Sequence, residues 1–396
     1  MALPLDGLLV VDLTQNVAGP FCTQILGDMG ADVIKVERPG RGDDARAWAP
    51  PFWGDESATF LAFNRNKRSL ALDLKREGGL EVLRRLVGRA DVFVQSLRAG
   101  AIAELGLDYP QASVLNPRLV YCSVTAYGPR GPLADRPGYD PLMQAYAGLM
   151  SVNGHPGHEP ARVGTSIVDM GTGMWAALGI MAALRQREST GRGGEVTTAL
   201  FDTALMWVSY HAMGYLGSGE VPQPQGSGTA MIAPYQAFPT VDGYAMIGAA
   251  SDGLFARLAG ALGAPELTRD ERFADNPSRV RHRADLVQAV SARTRTFKTR
   301  ELLDRLSEAG VPSAPILTMD QVLQEPQTRA SGMLVGAQHP RLPDYTSLGL
   351  PIQWDGRRPG IRRVPPRLGE HSTDVLTTLG YTLDDVRNLK TQGLVQ

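Results

Sequence analysis

Short, largely apolar runs recur along the first 125 residues, at 8–12 (LLVVD), 33–37 (VIKVE), 70–73, 91–95 (DVFVQ) and 119–124 (LVYCSV). Several end on a polar residue. Their length and β-branched content predict strands buried on both faces, as in a parallel sheet. Between them, residues 20–30 and 78–87 place apolar side chains at helical spacing. The series predicts βαβ units and hence an α/β fold built on a doubly wound, mostly parallel, Rossmann-like sheet. Ligands in such sheets sit beyond the carboxyl ends of the strands.

The rest of the chain changes character. Residues 125–168 are rich in Gly and Pro, with YGPRGP at 127–132 and RPGYDP at 136–141. An apolar helix is predicted from 171 to about 187, stopping near GRGG at 191–194, and a second from 196 to about 216. The segment VPQPQGSG at 221–228 breaks the pattern and reads as a linker. From 235 to 317 a smaller α/β unit is predicted, with strands at 244–248 and 313–317 and a charged helical stretch at 279–309. Residues 340–366 are irregular and cross back, and 374–394 form closing helices. This divides the chain into a large α/β domain (1–220), a linker (221–234), a small domain (235–325) and a return linker with C-terminal helices (326–396).

Composition mainly excludes. The 396 residues carry 40 Lys+Arg against 41 Asp+Glu, so there is no electrostatic footprint for nucleic acid or a membrane surface. No run reaches the roughly 20 apolar residues needed to span a bilayer, and the N-terminal apolar run is a strand rather than a signal peptide. The two cysteines, Cys22 and Cys122, lie in apolar stretches. That argues against a disulfide framework and for a cytoplasmic protein. No G-x-G-x-x-G follows the first strand, so a nicotinamide cofactor is disfavoured. The six histidines show no metal-ligand spacing, and no G-x-S-x-G elbow is present.

Two carboxylates and a set of cations remain. Asp169 ends a strand-like run (TSIVD) just before a helix start containing Gly171 and Gly173. A helix cap is its plain structural role; glycines that admit a ligand to the backbone favour a site, and a carboxylate can form acyl intermediates. Asp140, before Pro141, reads first as a turn residue. Arg38, Lys67, Arg68, Lys75, Arg98 and Arg136 lie near strand ends or the loops after them. Scattered cations are usually solvated, but several at one sheet edge can bind phosphates.

Seven segments in register carry a family resemblance: PLDG at 4–7 with AGP at 18–20, GADVIKVE at 30–37, NKRSL at 66–70, RPGYDP at 136–141, TGRG at 190–193, IAPYQ at 232–236 and LGEH at 368–371. In this order and spacing the chain resembles the class III CoA-transferases, the CaiB/BaiF type that includes formyl-CoA and carnitine CoA-transferases. The resemblance implies an interlocked, ring-like homodimer, with acyl-CoA and carboxylic acids as substrates and no tightly bound cofactor. It places the nucleophile on Asp169 and CoA contacts on Asn16, Val17, Ala18, Arg38, Leu72, Lys75, Ser96, Leu97 and Arg98, with Gln15 positioning an oxyanion. Tyr139, Asp140, Ala249 and Ala250 fall in the substrate pocket, and 249–253 is a candidate lid. The implied reaction moves CoA from a donor such as succinyl-CoA to a dicarboxylate (itaconate, mesaconate, citramalate or glutarate), with Arg46 and Arg162 as partners for the second carboxylate.

Ser96 replaces a usual Asn, and Glu104 stands where formyl-CoA transferase has a basic residue. The same fold serves 2-methylacyl-CoA racemases, which carry G-H-D where this chain has Gly138-Tyr139-Asp140. A tyrosine, with a pKa near 10, is a poor base at pH 7, so the racemase is the alternative reading.

Overall fold

In the computed structural model, which describes residues 3–396, six strands form one fully parallel sheet. They are β1 (Leu9–Leu13), β2 (Asp32–Glu37), β3 (Lys67–Ala71), β4 (Val92–Gln95), β5 (Val120–Thr125) and β6 (Gly194–Ala199). Their order across the sheet is β3-β2-β1-β4-β5-β6. The direction of winding therefore reverses between β1 and β4, which opens a crevice at their carboxyl ends.

Alternate residues along each strand feed opposite faces. Val10, Val33, Val92 and Val120 enter a core with α1 (Ala18–Asp28) and α4 (Ile167–Thr190). Val11, Ile34, Phe93 and Tyr121 enter a second core, with α2 (Glu77–Arg89) and the helix Ser372–Thr378. Two further helices matter for the site: α3 (Asp140–Tyr146) and α5 (Leu200–Trp207). The helix α4 is apolar and long enough to span a bilayer, but it is a core helix: Gly171, Thr172, Gly173, Ala176, Ala177 and Ile180 are buried.

Three local expectations are corrected. Residues 194–199, most of them placed in a helix above, form the edge strand β6; β-branched Val196, Thr197 and Thr198 with alternating exposure suit a pleated edge better than a helix. Asp169 does not end a strand: it lies in the first turn of α4. Gly171 and Gly173 serve packing, not ligand approach. A Cβ on Gly173 would stand 2.6 Å from the Ala18 carbonyl oxygen of α1, and one on Gly171 would stand 2.5 Å from the Trp207 ring.

Two of the sequence segments prove to be fasteners. Ser69 on β3 accepts from Gly369 N through its hydroxyl and from His371 N through its carbonyl. The Asn66 side-chain oxygen accepts from the backbones of Arg362 and Arg363. The C-terminal segment is thereby stitched to the sheet.

The chain divides into two compact units. One holds the parallel sheet and comprises the residues up to Leu149, Val163–Ser209 and Pro326–Gln396; the other comprises Met150–Arg162 and Tyr210–Glu325. Residues 150–162 and 210–220, expected in the large domain, group with the second unit, where Gly226 N donates to the Gly154 carbonyl at 2.8 Å. The second unit contains a three-stranded antiparallel sheet of β7 (Tyr235–Pro239), β8 (Tyr244–Gly248) and β9 (Ser313–Pro315), with β8 central. Its core gathers Phe238, Ile247, Phe255, Leu286 and Leu302.

Candidate active site

The chain leaving β1 turns sharply at Asn16, whose φ is +71°, before entering α1. Non-glycine residues adopt that conformation only where surroundings enforce it. Here the Asp43 carboxylate accepts from Asn16 N at 3.0 Å and pairs with Lys35 at 2.8 Å, while Lys35 also donates to the Thr14 carbonyl at 3.0 Å. Asp12 below it accepts from Thr14 N at 3.0 Å and pairs with Lys67 at 3.0 Å. Lys35, Asp43, Asp12 and Lys67 are all fully or almost fully buried. Burial alone would raise the Asp12 pKa; Lys67 and Lys35, with hydrogen bonds from Thr14 and Thr23, outweigh it and hold the carboxyl well below its usual range. Gln15 N donates to the Ser96 hydroxyl at 3.2 Å, which ties the same turn to the end of β4.

Asp169 faces this turn from the start of α4. The positive end of a helix normally favours an ionised carboxylate, yet here the N–H groups are already taken. The buried Asp140 accepts from Val168 N at 2.7 Å and from Asp169 N at 3.1 Å, and Gln144 donates to its other oxygen at 2.6 Å. Burial, reinforced by the Asp140 charge, pushes the Asp169 pKa up to about 7. The site therefore holds a carboxyl that changes charge near neutral pH, as groups at reacting centres often do.

A cleft of about 600 Å³ brings Asp169 together with Gln15, Asn16, Val17, Ala18, Ser96, Leu97, Arg98 and Tyr139. A neighbouring cleft of about 500 Å³ collects Arg38, Leu72 and Lys75, and Gln15 and Leu97 line both. Asp140 is not a pocket wall: it is buried behind Asp169. Ala249 is buried in the core of the second unit, and Ala250 follows it; the candidate lid runs into a helix, Asp252–Ala261, capped by Ser251. An open hollow of about 820 Å³ along 336–346 contains none of the predicted residues.

The cations sort differently from expectation. Lys67 is buried on Asp12, and Arg68 pairs with Asp32 at the opposite end of the strands. Arg46 is held by Glu37 at 2.7 Å and is not spare, and Arg162 lies in the second unit. Arg38, Lys75, Arg98 and Arg136 remain on the clefts. The N–H of Gln15, the residue expected to position an oxyanion, is committed to Ser96, and that of Asn16 to Asp43. Ala18 and Gly19 line the same cleft, and their N–H groups, in the first turn of α1, have no intrahelical acceptor. Sequence reading missed Asp43, whose neighbours (GRGDD) look like an ordinary polar loop.

An α/β enzyme with a neutral-range carboxyl in the crevice at the switch of its sheet is thus the class that fold and site define. The family model for CoA-transferase family III matches residues 5–372, and the chain belongs to that family; it is a CoA-transferase acting on CoA thioesters. It is 37% identical to human succinyl-CoA:glutarate CoA-transferase over 393 residues, which cover 99% of this chain and 90% of that one. Succinate–glutarate CoA-transferase of Agrobacterium fabrum is 38% identical, over 95% of this chain and 96% of its own. Among solved structures, a CaiB/BaiF family protein from Brucella suis superposes with a TM-score of 0.87 at 40% identity, over 96% of this chain and 100% of that one.

Proposed function

We propose that the enzyme moves CoA from a dicarboxylic acyl-CoA, succinyl-CoA first among them, to a second dicarboxylic acid such as glutarate, through covalent adducts on Asp169. The observation that carries this is Asp169 itself, in the switch-point cleft with a pKa near 7. At neutral pH a useful fraction is ionised, and a carboxylate of raised pKa is also a better nucleophile than an ordinary one.

In the first step an Asp169 oxygen attacks the thioester carbonyl of the donor, and the C–S bond breaks to give a mixed anhydride and CoA thiolate. The thiolate attacks the aspartyl carbonyl; the donor acid leaves as its carboxylate and an aspartyl-CoA thioester remains. The acceptor carboxylate attacks that carbonyl, releasing the thiolate and forming a second anhydride. Attack of the thiolate on the acceptor's acyl carbon yields the new acyl-CoA and restores Asp169. In this proposal the uncommitted N–H groups of Ala18 and Gly19 stabilise the developing oxyanions. The Arg38–Lys75 cleft takes the phosphorylated end of CoA, and the stretch shared through Gln15 and Leu97 takes its arm.

Two copies assemble, in this reading, as an interlocked homodimer working in the cytoplasm. Support comes from exposed Met174, Trp175 and Leu178 on α4 and Leu205 and Met206 on α5, and from buried free Cys22 and Cys122. The test is an exchange assay with succinyl-CoA and glutarate on the wild type and on Asp169→Ala. The wild type forms glutaryl-CoA and the variant does not; normal turnover by the variant refutes the proposal.

A further inference from the structure

Arg136 differs from the other cations of the clefts. Arg38 pairs with Asp44 at 2.7 Å, and Arg98 reaches both oxygens of Glu104, at 3.1 and 2.9 Å. Two arginines line the cleft of Asp169, Arg98 and Arg136. Arg136 has no anionic partner among the described residues, although Asp135 beside it lines the same cleft. A guanidinium with five donors and no acceptor is suited to grip a carboxylate with two parallel bonds.

Its backbone is tied to the reacting end of the site. Arg136 N donates to the Leu133 carbonyl at 2.9 Å. At Gly138 a Cβ would stand 2.5 Å from the Met143 methyl and 2.9 Å from the Ala126 Cβ, so the chain is pinned closely at that residue. Two residues further on, Asp140 holds the backbone N–H of Asp169. Four residues of chain, at most about 14 Å when extended, separate Arg136 from this anchor. An exposed cation, on a short segment anchored at Gly138 and Asp140, thus shares one cleft with a carboxyl that changes charge near neutral pH.

We propose that Arg136 receives the second carboxylate of a dicarboxylic acyl group while the first reacts at Asp169, and so selects dicarboxylic over monocarboxylic acids. The proposal rests on the reading of Asp169 as the centre of transfer. It replaces Arg46, which Glu37 occupies, and it separates Arg136 from the cations that face the phosphates in the neighbouring cleft.

The test compares the wild type with Arg136→Met and Arg136→Lys, using succinyl-CoA as common donor and glutarate or pentanoate as acceptor. For Arg136→Met the glutarate-to-pentanoate ratio of kcat/KM falls about 10- to 100-fold, chiefly through KM for glutarate. Arg136→Lys, a point charge without the fork, recovers part of the loss. The Kd for free CoA, by calorimetry, stays within about twofold. An unchanged ratio overturns the proposal. So does a Kd for CoA weakened by the same factor, which would assign Arg136 to the diphosphate. A wild type that takes pentanoate as readily as glutarate overturns it too, while an adduct at Asp169 would leave the transfer reading standing. No exchange with either acid and no adduct fails both.

Discussion

Asp169→Asn removes a charge that burial and the neighbouring Asp140 make costly, and its effect on stability depends on pH with a definite sign. The unfolded chain releases this proton near pH 4, whereas the native protein releases it only near 7. Between those values the native state carries the extra proton, so wild-type stability falls as pH rises. About three pK units correspond to roughly 4 kcal/mol at full ionisation, and water at the mouth of the cleft reduces this to about 2–4 kcal/mol. The Asn side chain is nearly isosteric and carries no charge. Urea unfolding at pH 4.5, 6 and 8 should therefore give the smallest difference at the lowest pH, about 1 kcal/mol or less. The variant should gain as pH rises through 6, with the gap levelling off above about 7. A variant no more stable than the wild type at pH 8, or a gap independent of pH, would show that Asp169 is neither buried nor crowded as described.

The other consequences concern neighbours. Asp140→Asn lowers the like-charge pressure on Asp169, so the rising limb of the pH–rate profile moves to lower pH. It also sets an amide N–H₂ either against the Gln144 donor or against the helix N–H groups, at a cost of about 1–3 kcal/mol in a denaturation curve. Gly173→Ala forces α1 and α4 apart and should lower stability by about 1–3 kcal/mol; a thermal melt unchanged by it would contradict the close packing. Glu104→Gln frees Arg98, and CoA should then bind a few-fold more tightly at low salt, with the gain fading as salt increases; unchanged affinity would place Arg98 away from CoA.

Much of the sheet was legible because its strands are buried on both faces and read as unbroken apolar runs. The edge strand β6 was not: half-exposed Gly194–Ala199 lies between two apolar helices, and its β-branched residues were absorbed into a helical pattern. The glycine neighbours of Asp169 favoured a site for a mistaken reason, since Gly171 and Gly173 admit helices rather than a ligand, and it was the family resemblance that singled Asp169 out. The role of Asp140 depends on contacts 28 and 29 residues away in sequence, which no local spacing reveals. The buried tetrad of Asp12, Lys35, Asp43 and Lys67 was hidden for the opposite reason. Charged residues in a sequence suggest surface, and only the fold shows two ion pairs sealed beneath the turn at Asn16.

The most direct measurement is mass spectrometry of the purified enzyme after incubation with succinyl-CoA, with hydroxylamine added as a trap. The account predicts a hydroxamate on the peptide containing Asp169, lost in Asp169→Ala and suppressed by excess acceptor acid. An unmodified Asp169, together with deuterium uptake at C2 of a branched acyl-CoA, would contradict it and assign the cleft to proton transfer instead.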